Sequence, residues 1–153
     1  MRIDSVNSKT VKLLLDRYGY YFYVIKRFQN VKCKCLNSVT KDPDPNCPEC
    51  LGTGTKIKIY KVFGCLRETR EREISIAQNL SSSPKIAYIK GMRRYEKDDI
   101  IVDDENVYHM AALQWHRGEK GEFAFTRAIC PFTKGSDASF IRNFYKLINE
   151  YKL

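Results

Sequence analysis

The sequence predicts a mainly β protein with flanking helices, built as a small antiparallel β-barrel or sandwich. Short segments in the middle of the chain alternate apolar and polar residues, which is typical of half-buried strands. Both ends instead carry apolar residues at helical spacing. With 153 residues, the chain is expected to form a single domain over 1–153, with an insertion at 31–54 and a C-terminal helix over 136–153.

The first predicted element is a helix capped by Asp4 or Ser5 and ended by Gly19. Its apolar face would carry Val11, Leu14, Leu15 and Tyr18. A strand follows at 20–28, because aromatic and β-branched residues dominate that stretch. Its apolar side chains fall on both faces, which predicts burial against a core on one side and against a helix or neighbouring subunit on the other.

The second strand is predicted at 55–65, where apolar and basic residues alternate. One face would carry Ile57, Ile59, Lys61 and Phe63, and the other would carry Lys56, Lys58, Tyr60 and Val62. This pattern predicts a half-exposed strand with a basic outer edge. Pairing of the two strands as a hairpin would place residues 31–54 at its tip. The charged stretch at 66–73 is interpreted as a solvated face.

Further short strands are predicted along the second half of the chain. Residues 97–110 indicate two strands joined by a turn at 103–106, and residues 110–116 would extend the second of them. Another strand is expected at 123–129. Strand ends on either side of the turn at 81–84 are predicted at Ile74, Ile76, Ile86 and Tyr88.

The last predicted element is an amphipathic helix capped by Ser136 or Asp137. Its apolar stripe consists of Phe140, Phe144, Leu147, Ile148 and Tyr151. We expect this stripe to dock a partner, chiefly through Phe140, Phe144 and Ile148.

Four cysteines within eighteen residues are the strongest chemical signal of the chain: Cys33, Cys35, Cys47 and Cys50. Two close pairs joined by a short loop can place four thiolates around one tetrahedral zinc ion. Because all four ligands are sulfur, no position is left for water, so one structural Zn²⁺ is predicted. Disulfides are the alternative that the spacing leaves open. Cys65 and Cys130 are interpreted as small apolar core residues.

The N-terminal residues and the distribution of charge indicate the compartment in which the protein is made and the kind of partner it binds. The first residues lack the apolar core of a signal peptide, and no apolar run approaches the roughly 20 residues that cross a bilayer. We therefore expect synthesis in a reducing cytosol and no membrane partner. The net charge of +9 is concentrated in residues 1–63, which hold twelve basic and five acidic residues. An acidic partner, nucleic acid or protein, fits this balance.

No motif supports an enzyme. The chain has no Gly-x-x-x-x-Gly-Lys phosphate loop, no Gly-x-Ser-x-Gly elbow and no His-Glu-x-x-His helix. The acidic residues at 98–105 could hold Mg²⁺, but a hairpin turn needs such residues anyway, and they have no partner lysine or histidine. His109 and His116 lie far along the chain from the cysteines and are interpreted as strand residues.

One segment of the chain resembles a known family. It reads Cys33-x-Cys35, then Asp42-Pro-Asp-Pro-Asn46, Cys47-Pro-x-Cys50 and Gly52-Thr-Gly54. This text is similar to the cysteine insert of small tailed-bacteriophage neck proteins, although the Cys-x-Cys pair is tighter than the usual two-residue spacing. Residues 97–108 and 123–129 resemble strands of the β-barrel that accompanies the insert in that family.

The resemblance implies a head–tail connector of the adaptor or head-closure type, without catalytic turnover. Such a protein would form a ring with copies of itself between the capsid portal and the tail, and packaged DNA would pass through or be retained there without sequence preference. Its other partners would be the neighbouring portal, adaptor and tail proteins. Its location would be the virion neck, after assembly in the host cytoplasm.

A zinc-knuckle module that binds nucleic acid is the alternative function. In that case Lys32, Lys34, Lys56 and Lys58 would meet phosphates, and affinity would fall steeply with salt. A metal-supported enzyme subunit would require a polar cleft with perturbed carboxylates, which the sequence does not indicate.

Overall fold

The computed structural model describes residues 8–68, 84–91, 93–116, 124–131 and 138–151. These residues form a helix near each end, α1 (Ser8–Tyr18) and α2 (Ala138–Tyr151). Between the helices lie β1 (Tyr20–Lys32), β2 (Thr55–Glu68), β3 (Lys85–Lys90), β4 (Ile100–Asp103), β5 (Asn106–His109), β6 (Ala112–His116) and β7 (Phe125–Cys130). The predicted class, mainly antiparallel β with flanking helices, is confirmed.

The seven described strands form one antiparallel sheet in the order β5-β4-β1-β2-β3-β7-β6. Its two edge strands, β5 and β6, are consecutive in the chain and are separated only by Met110 and Ala111. At this connection the His109 amide donates to the Pro131 carbonyl (3.2 Å) and the Ala111 amide donates to the Ile129 carbonyl (2.8 Å). Because only two residues join the strands at opposite edges of the sheet, the two edges lie close together and the sheet curls into a half-barrel.

Residues 110–116 do not simply extend the strand before them. The chain bends at Met110 and Ala111, so that β5 pairs with β4 while β6 pairs with β7 at the other edge of the sheet. The predicted turn at 103–106 is present, since Asp103 pairs with Asn106 across it. The strand expected at 123–129 is observed as Phe125–Cys130.

Apolar side chains from both edges of the sheet meet in one cluster, which therefore lies inside the curl. Its members include Phe22, Val24, Val62, Ile89, Tyr95, Ile101, Tyr108, Met110 and Cys130. Cys130 is fully buried there, and Cys65 is buried beneath α1. The interpretation of these two cysteines as small apolar core residues is confirmed.

The outer face of the sheet is covered in two places. Helix α1 packs Val11 and Leu15 against Cys65 and its neighbours on β3 and β7, and α2 covers β1, β4 and β5. Between Phe22 and Ile25 both faces of β1 are therefore covered, as its pattern predicts, whereas Tyr20 and Tyr21 at its start are exposed. The half-exposed β2 with a basic edge is confirmed over its first half, where Lys56 and Lys58 are exposed and Ile57 and Ile59 are half-buried towards α2; further along, Val62 and Cys65 are buried.

The apolar stripe of α2 packs against the chain's own sheet. Phe144 is fully buried, Ile148 is 5% exposed and Phe140 is half-buried beside them. The sequence pattern predicts that these three residues dock a partner. In the structure they cover Ile25 and Val102 instead, because the outer face of β1 and β4 is itself apolar and needs a cover.

Helix α1 ends at Gly19, as predicted. The Gly19 amide donates to the Leu15 carbonyl (2.8 Å), and a Cβ at position 19 would clash with the Phe63 ring. The predicted caps Asp4, Ser5, Ser136 and Asp137, the segment 69–83 and the strand ends Ile74 and Ile76 lie outside the described residues. Neither described helix has the length and apolar character needed to cross a membrane.

Candidate metal centre

The four clustered cysteines lie at the tip of the β1–β2 hairpin, where the sequence places them. The two strands pair from Tyr20 opposite Gly64 to Lys32 opposite Thr55, with a register shift after Phe28. Beyond Lys32, the Cys33 amide donates to the Gly54 carbonyl (3.0 Å). The insertion therefore leaves and re-enters the sheet at a single point.

The sulfur atoms of Cys33, Cys35, Cys47 and Cys50 all lie within 4.8 Å of one another. The Cys33 and Cys47 sulfurs are 3.7 Å apart, and the Cys35 and Cys50 sulfurs are 3.5 Å apart. Four Zn–S bonds of about 2.3 Å in a tetrahedron require edges of about 3.8 Å. All six cysteines of the chain are free thiols. The cluster can therefore hold a metal ion, and the tight Cys-x-Cys spacing does not prevent it.

Turns close the loop between the two cysteine pairs. The Asn37 side chain accepts hydrogen bonds from the amides of Val39 (2.8 Å) and Thr40 (3.2 Å). The Asp44 carboxylate accepts one from the Asn46 amide (2.9 Å). These are the Asx turns that the density of proline, aspartate and asparagine predicts. They bring the second cysteine pair back to the first without a β ladder.

A second turn wraps the chain around Cys47 and Cys50. The Leu51 amide donates to the Cys47 carbonyl (2.9 Å), and the Thr53 amide donates to the Cys50 carbonyl (3.0 Å). This path requires left-handed backbone at Leu51 (φ 52°) and Gly52 (φ 79°). Glycine adopts such angles without strain, which explains the glycine after Leu51.

Backbone amides point at the sulfurs of the second cysteine pair. Burial by itself raises the pKa of Cys47, but the amides of Cys50 and Glu49 hydrogen-bond to its sulfur and hold the pKa below its ordinary value. Burial raises the pKa of Cys50, although the Gly54 and Gly52 amides donate to that sulfur as well. Amide donors stabilise the thiolate, which is the form of cysteine that binds metals.

Two contacts tie the cysteine loop to the body of the protein. Leu51, only 4% exposed, packs into the cluster beneath α2 with Ile25 and Phe144. The Arg27 guanidinium donates to the Thr53 carbonyl (3.3 Å). Sequence reasoning missed both residues, although an apolar residue directly after the last cysteine of a polar loop was an available signal. The position of the loop is thus coupled to the packing of α2.

The lysines, histidines and acidic residues that the sequence also suggested as functional lie outside the sulfur cluster. Lys32, Lys34, Lys56 and Lys58 are all exposed, and their contact with nucleic acid stays a prediction. His109 and His116 lie on β5 and β6, away from the hairpin tip. Among the described residues, the four cysteines are the one group of three or more ligand-type side chains placed to share an ion. The acidic residues at 98–105 form no such group there.

We expect two classes of thiol in this protein. With metal bound, no cysteine should react quickly with a chromogenic thiol reagent at neutral pH. A chelator should release the four clustered thiols, while Cys65 and Cys130 should react only after unfolding. These two are buried, and burial raises the pKa of Cys65 to about 11 and that of Cys130 to about 12. Rapid reaction of all six thiols in the native, metal-loaded protein would contradict the assignment.

No protein-family model and no curated protein matches the chain. We therefore infer its function from the arrangement of its side chains. That arrangement is a sulfur-lined centre at the tip of a hairpin, able to hold one metal ion and tied to the core by Leu51 and Arg27.

Proposed function

We propose that the four cysteines hold one structural zinc ion, and that the chain is a non-enzymatic subunit of the head–tail connector of a tailed bacteriophage. The spacing of the four sulfur atoms, all within 4.8 Å of one another, is the observation that carries the metal assignment. Zinc is favoured because a closed set of four thiolates suits its tetrahedral geometry and its preference for soft ligands.

A structural role follows from the ligand set and from the loop around it. All four coordination positions are filled by cysteine, which leaves no position for a substrate or a water molecule. Most side chains between the two cysteine pairs are exposed, so the loop has little apolar burial of its own. A bound ion would therefore supply the free energy that keeps this segment folded.

A connector role is supported by the position of the centre and by the resemblance of the cysteine segment to phage neck proteins. The ion would stiffen a loop at the outer end of a hairpin, and a stiff loop docks on a neighbour with little further loss of conformational entropy. Val39, at this tip, is 85% exposed and offers an apolar contact point. The curled antiparallel sheet is compatible with the barrel that the resemblance implies.

The test combines metal content with assembly. Elemental analysis should find about one zinc per purified chain. Val39→Asp should keep zinc and the melting temperature but lose incorporation into rings, measured by native mass spectrometry and electron microscopy with the portal and tail proteins supplied. Ser38→Asp adds the same charge at the neighbouring exposed position and should assemble normally.

Two results would contradict these proposals separately. Protein purified without any metal, with disulfides between the cysteine pairs, would overturn the zinc assignment. Zinc-loaded protein that forms no ring, alone or with portal and tail proteins, would overturn the connector assignment and leave the zinc assignment intact.

A further inference from the structure

A cleft of about 630 Å³ opens beside the inner face of the β1–β2 hairpin, between the apolar core and the cysteine tip. Its lining includes Lys26 and Phe28 from β1, Tyr60 from β2, and Arg93 and Arg94 from the segment before β4. Tyr60 also packs against the inner cluster, so the cleft begins where the apolar core ends. This combination of basic and aromatic side chains has no role in the metal centre.

The charges of the cleft are strongly unbalanced. Lys26, Arg27, Arg93 and Arg94 all line it, and Lys26 lies directly opposite Lys58, which stands beside the cleft, in the β1–β2 register. Like charges at such positions destabilise a strand pair, although the buried carboxylate of Asp99 offsets part of the charge of Lys26. The ion pair between Lys85 and Glu68 lies away from this cleft. One acidic residue, Glu96, is among the lining side chains.

Aromatic rings hold the cations in place. The Arg93 guanidinium carbon lies 3.7 Å from the centre of the Tyr60 ring, and the Lys58 amino group lies 5.2 Å from it. The Lys26 amino group lies 6.0 Å from the centre of the Phe28 ring and donates to the Arg94 carbonyl. Such cation–π contacts orient charged groups without neutralising them. The cleft therefore loses little side-chain entropy when it binds an anion.

The wall that carries the two arginines is fixed to β1. Asp99 is 1% exposed, and its carboxylate accepts hydrogen bonds from the amides of Glu96 (2.8 Å) and Arg27 (3.0 Å). Tyr95, between the arginines and Glu96, is buried in the inner cluster. The segment that carries Arg93 and Arg94 is therefore held in place by the burial of Tyr95, by the hydrogen bond from the Glu96 amide to Asp99 and by the hydrogen bond from Lys26 to the Arg94 carbonyl.

We propose that this cleft binds single-stranded nucleic acid, with Lys26, Arg93 and Arg94 on phosphates and the ring of Phe28 against a base, while Tyr60 holds the Arg93 guanidinium in place. Cations combined with aromatic rings in one groove are the usual means of holding single strands without sequence preference. The volume lies in the range of small-ligand sites, roughly 300–1,000 Å³, and so suits individual nucleotides. A duplex keeps its bases stacked inside and could touch only the rim. The proposal is independent of the connector assignment.

The test uses zinc-loaded full-length protein and labelled oligo(dT) and oligo(rU) of about twelve nucleotides, within the usual range for single-strand sites. Fluorescence anisotropy across a series of salt concentrations gives the affinity and its salt slope. The double variant Arg93→Gln/Arg94→Gln, which removes two cations of the cleft lining, should weaken binding at least about tenfold. It should also reduce the salt slope by about 1.4, since each phosphate contact on a single strand contributes about 0.7.

A matched control removes two charges elsewhere. Lys12 is exposed on α1, and Lys61 lies on β2 beside the Tyr21 ring, on the opposite face from Tyr60. Lys12→Gln/Lys61→Gln should therefore leave affinity and slope nearly unchanged. Phe28→Leu should weaken binding without changing the slope, because it removes a ring and no charge. Thermal melting of each variant checks that the fold is retained.

Several outcomes would overturn the proposal. They are absence of oligonucleotide binding by the zinc-loaded protein, equal loss of affinity in the control variant, and equal or tighter binding of a duplex. Stronger competition by an acidic peptide copied from residues 97–110 would instead assign the cleft to a protein segment. Rings formed by the cleft variant would leave the connector assignment standing whatever the oligonucleotides show.

Discussion

Cys50→Ala is expected to remove the metal ion and to unfold the tip of the β1–β2 hairpin. Cys50 is fully buried, and its sulfur lies 3.5 Å from that of Cys35. Three remaining thiolates would leave an open, solvent-competed position. The loop would also release Leu51 from beneath α2, a loss comparable with deleting a buried leucine side chain, about 2–5 kcal/mol. The melting temperature should fall by about 5–15 °C.

Elemental analysis and calorimetry of the same sample would measure both effects. Cys65→Ala is the matched control, because it also removes a buried cysteine but lies outside the sulfur cluster. This control should keep a full complement of metal while losing some core packing. A Cys50→Ala protein that retains one ion per chain with an unchanged melting curve would show that the cluster is not a metal centre.

Asp99→Ala is expected to lower the free energy of unfolding by about 2–6 kcal/mol. The substitution leaves the amides of Arg27 and Glu96 without their acceptor, and each unsatisfied buried donor costs about 1–3 kcal/mol. Asp99 is almost completely buried, so water cannot easily take its place. Urea denaturation monitored by circular dichroism measures the change. Glu96→Ala removes an exposed carboxylate from the same segment and should change stability by less than about 0.5 kcal/mol.

The pH dependence of this position adds a second readout. Burial raises the pKa of Asp99, although the amides of Arg27 and Glu96 and the charge of Lys26 act in the opposite direction. A carboxyl group with a raised pKa in the folded state contributes stability that is present at low pH and lost as pH rises through that pKa. The stability of the wild type relative to Asp99→Asn should therefore decrease as pH rises. An increase would contradict the assigned direction.

The hairpin and its cysteine tip could be predicted because their signals are local. Alternation along β1 and β2 and the spacing of the four cysteines are each visible within a few neighbouring residues. The crossing of β6 to the far edge could not be predicted in the same way. A five-residue alternating segment fits either edge, and the choice depends on the bend at Met110 and Ala111.

The basic cleft was missed because its parts are distant in sequence. Arg93 and Arg94 reach Lys26 only because Asp99 ties their segment to β1. The helical spacing of the apolar residues on α2 likewise did not show what surface they pack against. Apolar residues at helical spacing serve a partner or the chain's own sheet equally well, and the apolar outer face formed by Ile25 and Val102 decides between them.

The sulfur cluster also bears on the order in which the chain folds. β1 and β2 form the centre of the sheet, yet residues 33–54 intervene between them, and closing a longer loop costs more entropy. An ion bridging Cys33 and Cys35 to Cys47 and Cys50 would close that loop in advance and turn a distant pairing into a local one. Nascent chains supplied with metal would then nucleate at this hairpin, and metal-starved chains would reach the same sheet more slowly.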